Sequence, residues 1–239
     1  MQLDLEAPGD ASTMIGERVE RLLTDVAETA RRAGRDPSTI TIVAISKQHP
    51  QAAILDAYNA GVRDFGENYV QEALPKFAGI PRDARRHFVG HVQTNKARAL
   101  VEHFDLIHAI DRLPAGVALA RAARHLGVNA PPVLVQVNIS PQERYGVPLP
   151  DAPAFAKRLR ELGLAVEGTM AIGPLTEDRA EISAAFERAA EVHQRIGGDV
   201  LSLGMSGDWR EAVACGATML RIGTAIFGPR RVAKGAPSK

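Results

Sequence analysis

Lys47 follows the first strongly apolar run of the chain, Ile40-Thr41-Ile42-Val43-Ala44-Ile45, with only Ser46 between. Burying a lysine is costly unless its charge is paired or lost. Desolvation lowers its pKa and turns the amine into a nucleophile toward carbonyl compounds. By position alone, a solvated loop lysine is the ordinary reading. A second group of residues lies far along the chain, in Leu203-Gly204-Met205-Ser206-Gly207-Asp208. Ser206 stands just before a helix, where a hydroxyl and nearby backbone N–H groups can bind phosphate. Ser206 or Asp208 could equally be a plain helix cap. A third group is Arg221-Ile222-Gly223-Thr224-Ala225-Ile226-Phe227-Gly228. Gly223 and Thr224 could complete a phosphate cradle. Arg221 cannot give up its charge, so it must face an open end or find a partner such as a carboxylate. In Gly66-Glu67-Asn68-Tyr69, Asn68 could bond a ligand or cap a helix, and Glu67 could pair with Arg221 or Lys47.

These residues need elements to hold them. A leading helix is read from Ile15, Val19, Leu22, Leu23, Val26 and Ala30, which share one face. Ser12 or Thr13 would cap it and Gly34 would end it. Strands then alternate with helices. The strands are read at Ile40–Ile45, Val62–Phe65, Arg86–Val89, Asp105–Ile110, Pro132–Val137, Ala165–Ile172, Val200–Leu203 and Thr218–Ile222. Every strand but the last precedes a clear helical pattern. Alternation of this kind implies a parallel sheet, and eight units imply an α/β fold closed as a (β/α)8 TIM barrel. The leading helix is extra and is expected to cover the barrel bottom. An open doubly wound sheet would show a Gly-rich loop after its first strand, and Ser46-Lys47-Gln48-His49-Pro50 has no glycine. No linker or short repeat interrupts the chain, so residues 1–239 read as a single domain, with 1–11 and 230–239 as flexible tails. In such barrels active groups stand at the C-terminal strand ends, and the loops after strands seven and eight often take phosphate. Ser206 and Gly223-Thr224 fall at those two places.

Composition removes several function classes. The chain has 239 residues, 29 Lys plus Arg against 28 Asp plus Glu, and a formal charge of +1. That balance gives no electrostatic reason to expect nucleic acid or an anionic membrane. No apolar run has the length of a membrane span, and residues 1–10 lack the pattern of a signal peptide. The one cysteine, Cys215, cannot form an internal disulfide and reads as a small core residue of a helix. A reducing, cytoplasmic setting is expected. His87 and His91 flank the third strand without further ligands at metal-binding spacing, so no metal is expected. No P-loop, nucleophile elbow or nucleotide fingerprint occurs. Arg82, Arg85 and Arg86 read as a solvated basic face.

Taken together, the motifs resemble one family. Val43-Ala44-Ile45-Ser46-Lys47, Phe65-Gly66-Glu67-Asn68-Tyr69-Val70-Gln71-Glu72, His87-Phe88-Val89-Gly90-His91-Val92-Gln93-Thr94-Asn95-Lys96, Leu201 to Gly207 and Arg221 to Gly228 stand in the order of the YggS/PROSC group. These are the pyridoxal phosphate homeostasis proteins, similar to the barrel domain of alanine racemase standing alone. The resemblance runs from about Ile15 to Arg230. It implies a pyridoxal 5′-phosphate (PLP) cofactor held as a Schiff base on Lys47. It further implies phosphate contacts from Ser206, Gly223 and Thr224, Arg221 at the pyridine nitrogen, and Asn68 near the cofactor. It implies a mostly monomeric protein whose partners are PLP and apo PLP-dependent enzymes. The chain departs from the family in having Arg86 where a tryptophan is usual, and Arg144 before Tyr145-Gly146 where a lysine is common.

The residues agree with that implication, since an aldehyde cofactor needs a lysine, a phosphate cradle and a partner for its ring nitrogen. A guanidinium at that nitrogen keeps it unprotonated and weakens the electron sink. A racemase also needs a base on the opposite cofactor face, supplied in alanine racemase by a second domain and a partner subunit. The leading expectation is therefore a protein that carries or buffers PLP, with no residue assigned as catalytic. The alternative is a PLP-dependent amino-acid racemase or decarboxylase using Tyr69, His87 or Tyr145. A cofactor-free class I aldolase would place its lysine on a later strand, commonly the sixth. Ala165-Val166-Glu167-Gly168-Thr169-Met170-Ala171-Ile172 has none.

Overall fold

Strands covered on both faces are nearly continuous apolar runs, and the inner strands of this chain have that character. The computed structural model describes residues 11–140 and 145–229. Its strands are β1 (Thr41–Ile45), β2 (Asp64–Glu67), β3 (Arg85–Phe88), β4 (Leu106–Ile110), β5 (Val133–Asn138), β6 (Val147–Pro148), β7 (Val166–Ala171), β8 (Val200–Ser202) and β9 (Met219–Ile222). All pairings are parallel. The order β4-β3-β2-β1-β9-β8-β7-β5 closes through β4 against β5, giving the eight-stranded barrel. The two-residue β6 lies outside that ring, paired to β5. The seventh and eighth strands read from the sequence are thus β8 and β9.

The helices are α1 (Ala11–Arg32), α2 (Gln51–Asn59), α3 (Val70–Phe77), α4 (Ala97–His103), α5 (Leu113–Leu126), α6 (Ala152–Glu161), α7 (Arg179–Ile196), α8 (Trp209–Ala214) and α9 (Thr224–Phe227). The main apolar cluster lies between strands and helices, with Phe65, Ile107, Leu119, Leu159, Phe186 and Leu220 fully buried. A smaller cluster of Val43, Ile45, Leu106, Leu134, Met170 and Met219 packs together separately from it. Among the described residues no helix is long and apolar enough to cross a membrane.

Several expectations change. The leading helix does not cover the barrel bottom. α1 packs against α2, α8 and α9, so it stands in the outer ring between the first and last units. Among the described residues the last strand is followed by the four-residue α9, and α1 fills the place a full eighth helix would take. Ile15, Val19, Leu22, Val26 and Ala30 are buried, but Leu23 is 43% exposed because the stripe curves away from it. Ser12 lies inside α1, and its hydroxyl donates to Asp56 at 2.7 Å instead of capping. The second strand begins at Asp64, since the Val62 N–H is taken by the Ala57 carbonyl in the preceding turn. That shift places Gly66 and Glu67 inside the sheet, opposite His87 and Phe88. Cys215 caps α8 at the half-buried edge of the core, where burial and then Glu187 and Glu211 raise its thiol pKa. Of the expected tails 1–11 and 230–239, Ala11 instead opens α1, and the rest, with Arg144, lies outside the described residues.

Candidate functional site

At the C-terminal strand ends a cavity of about 330 Å³ opens, with Lys47, Asn68, Ser206, Arg221, Gly223 and Thr224 all in its wall. Ile45, Val89, Met170, Ile172 and Met205 add an apolar lining. Residues 47 and 224 come from opposite ends of the chain. They meet because β1 pairs directly with β9.

The Lys47 corner is built tightly. Gln48 follows with φ 64°, a left-handed conformation uncommon outside glycine. The Gln48 N–H is held by the Glu72 carboxylate. Behind it the Ser46 hydroxyl donates to Glu67 Oε1 at 2.7 Å. Lys76 completes the group by donating to the Ser46 carbonyl at 2.8 Å, to Glu67 at 2.7 Å and to Glu72 at 2.7 Å. Three donors meet three acceptors, so the Lys76 ammonium is fully engaged. Glu67 thus pairs with Lys76, and neither Lys47 nor Arg221 is its cation, contrary to expectation. Burial raises the Glu67 pKa, with the hydrogen bonds from Lys76 and Ser46 opposing. Burial also acts upward on Glu72, but the bonds from Lys76 and the Gln48 amide outweigh it, and the net shift is downward. Sequence reading missed Lys76; its spacing from Glu72 on α3 was the available signal. Lys96 lines a separate, smaller cavity with Asn68, Tyr69 and His91. Among the described residues Lys47 is the lysine in the larger cavity wall.

Across the cavity, the Ser206 hydroxyl accepts from the Ala225 N–H at 3.3 Å and ties the β8 loop to α9. Asp208 holds the N-cap position of α8, but its carboxylate turns back to the Met205 N–H at 2.6 Å. Neither side chain caps α8, so the plain-cap reading of this loop gives way. Burial raises the Asp208 pKa, against the Met205 bond and the charge of Arg221. Gly223 is the N-cap of α9. A Cβ there would meet only Ile45, its carbonyl at 3.4 Å and its Cβ at 3.8 Å, so the cavity side is open. The first N–H groups of a helix have no intrahelical acceptor and are suited to an anion.

Arg221 is 5% exposed. It donates to the Ser202 carbonyl at 2.8 Å, the Ser202 hydroxyl at 2.7 Å and the Ala171 carbonyl at 2.8 Å. Its partners are therefore carbonyls and a hydroxyl, and not the neighbouring carboxylate considered from sequence. Burial lowers its pKa to about 10 despite Asp208, so it stays charged at neutral pH. Asn68 is not a helix cap either; Tyr69 occupies the N-cap of α3. The Asn68 Oδ1 is buried and has no hydrogen-bond partner in the structure. Gly90 packs on the Asn68 backbone, where a Cβ at position 90 would come 2.0 Å from the backbone carbonyl oxygen. A buried side-chain carbonyl oxygen left open in a cavity wall is a place where a ligand donor would be accepted.

The alternative acid–base residues are elsewhere. Tyr69 is 64% exposed and Tyr145 is 68% exposed, the latter tilted by 33° against His91 with centroids 4.6 Å apart. His87 does not flank the strand; it is fully buried, bonded to Asp64 and His108. None of the three lines the larger cavity.

The family described as "Alanine racemase, N-terminal domain" matches residues 19–231. The Pyridoxal phosphate homeostasis protein of Pseudomonas aeruginosa is 42% identical over 223 residues, covering 90% of this chain and 96% of that protein. The protein of the same name from Escherichia coli is 39% identical over 236 residues, covering 92% and 98%. This chain belongs to their family. A solved family structure, PipY of Synechococcus elongatus with PLP bound, superposes with a TM-score of 0.77 at 39% identity, covering 90% of this chain and all of that one. Alanine racemase of Corynebacterium glutamicum, 16% identical with a TM-score of 0.69, shares the barrel fold.

Proposed function

We propose that this protein binds pyridoxal 5′-phosphate as a Schiff base on Lys47 and carries or buffers it within the cell, passing it to apo PLP-dependent enzymes. The observation that carries the reading is the meeting of Lys47, Arg221 and the Ser206–Gly223–Thr224 cradle on one cavity of about 330 Å³. The donor set suits the group. When bound, PLP supplies an aldehyde for an amine and an electron-poor ring. The corner where the Ser206 hydroxyl meets the start of α9 at Gly223-Thr224-Ala225 suits its phosphate. Arg221, charged and fixed by three hydrogen bonds, suits the ring nitrogen and keeps it unprotonated. The unpartnered Asn68 Oδ1 suits a further polar contact. The whole chain is read as one domain, monomeric and cytoplasmic. Amino-acid racemization or decarboxylation would need an acid or base over the cofactor. Tyr69, His87 and Tyr145 stand away from the cavity, which supports carriage over turnover.

The test is direct. Purified protein loaded with PLP is expected to absorb in the visible, and borohydride followed by peptide mass spectrometry should place the label on Lys47. Lys47→Ala is expected to lose both. A protein that takes up no PLP, or a label on Lys76 or Lys96, overturns the assignment. Robust amino-acid turnover abolished by Lys47→Ala would sink the carrier reading while keeping the site.

A further inference from the structure

A line of buried polar groups runs through the barrel and ends at Arg221. Asp64 begins β2, His87 lies on β3, His108 on β4, Ser202 ends β8 and Arg221 lies on β9. Asp64 is 9% exposed, while His87, His108 and Ser202 are fully buried. His87 Nε2 lies 2.8 Å from Asp64 Oδ1, and His87 Nδ1 lies 3.0 Å from His108 Nε2. His108 Nδ1 lies 3.2 Å from the Ser202 hydroxyl, which Arg221 Nη1 meets at 2.7 Å. The proposed function uses only the last residue.

With an obligate donor at one end and a carboxylate at the other, one direction of the line satisfies every group. A guanidinium only donates, and an ionised carboxylate only accepts. Ser202 therefore accepts from Arg221 and passes its own proton toward His108 Nδ1. His108 donates from Nε2 to His87 Nδ1, and His87 donates from Nε2 to Asp64. In that direction each ring carries its donor hydrogen on Nε2, and every group in the chain is satisfied. With one proton per ring, reversing the bond between the two rings would leave the His87 Nε2 lone pair facing the Asp64 carboxylate, acceptor against acceptor. Full burial first, and with it the fixed charges of Arg221 and Arg85, disfavour a second proton on His108. Arg85 sits at the Asp64 end, 3.9 Å from the carboxylate, and Asp208 is the acidic group acting on Arg221.

We propose that Asp64, His87, His108 and Ser202 are positioning residues, a one-directional hydrogen-bond chain that fixes the Arg221 guanidinium at the cavity floor. Its effect on bound cofactor rests on the proposed function, since Arg221 is the residue offered to the ring nitrogen. The chain thereby links the bottom end of β2 to the electronic state of the ligand.

Two measurements test this. Nitrogen-15 NMR of the full, ligand-free chain should show His87 and His108 both neutral near neutral pH with the proton on Nε2. An imidazolium, or a proton on Nδ1 in either ring, overturns the proposal. In PLP-loaded protein, Ser202→Ala and Asp64→Asn should move the pH midpoint of the visible band in the same direction, by about one pH unit or tenfold in the proton equilibrium. The double variant should move it by less than the sum. His193→Gln, which alters a histidine bonded to Thr169, is expected to leave the midpoint in place. An unmoved midpoint in folded Ser202→Ala refutes the role. Failure of the native chain to take up PLP would instead refute the proposed function, and the NMR result would still decide the direction of the chain. That arm needs no variant, so a variant that does not fold leaves it intact.

Discussion

Glu67 has no exposed surface in its side chain, and its cation, Lys76, is only 11% exposed. Removing one partner of such a pair leaves a buried charge, a change that costs about 3–5 kcal/mol. Lys76→Met is expected to cost that much near neutral pH and to loosen the Ser46-Lys47-Gln48 corner that both residues brace. The pH dependence has a definite sign. The Glu67 pKa in the folded chain lies above its ordinary 4.5 because of burial. A group of this kind favours folding most below the unfolded value, and that contribution is lost as pH rises through the folded value. Without Lys76 the loss should be steeper, so the variant's deficit should shrink as pH falls toward the carboxylate range. Urea unfolding of both proteins across that range measures it. A deficit that does not vary with pH would mean that Glu67 is not the group left stranded.

The helices around the barrel are held by one apolar stripe each, and α1 tests how much a single stripe does. Leu22 is 6% exposed and Leu23 is 43% exposed, so neighbouring residues of one type differ only in direction. Leu22→Ala should cost about 2–5 kcal/mol as a core truncation. Leu23→Ala should stay within about 0.5 kcal/mol. Chemical denaturation of the two variants checks the pair, and equal costs would contradict the place of α1 in the outer ring. That place could not be read from periodicity. The pattern shows that α1 buries a face, but only the shortness of α9 leaves a gap for it. Strand positions were mostly legible because buried parallel strands are nearly continuous apolar runs. The start of β2 was not, since Val62 looks like strand and only the preceding turn removes its N–H from the sheet.

For the whole molecule, His108 and His193 set a common acid response. Both have folded pKa values below the ordinary 6.5, chiefly because burial penalises their charged forms. A depressed histidine contributes stability that is fully present above the unfolded pKa. It is lost as pH falls from there toward the folded value. Stability should therefore decline as pH drops below about 6.5, before carboxylate protonation adds to the loss. His193→Gln should make that decline shallower, as thermal unfolding across the range would show. A flat profile down to the carboxylate range would contradict the burial of both rings.

By itself, the sequence determined the strand–helix alternation, because burial and turn formation leave local marks in residue type and spacing. The place of Lys47, Ser206, Arg221, Gly223 and Thr224 at strand ends was legible for that reason. What each charged group pairs with was decided only by tertiary structure. Glu67 faces Lys76 instead of Arg221 or Lys47, Arg221 faces two carbonyls and Ser202, and His87 faces inward instead of flanking its strand. Pairing depends on register between strands far apart in the chain, and closure of the barrel fixes that register. The hydrogen-bond line from Asp64 to Arg221 crosses five strands, so no local pattern could have announced it.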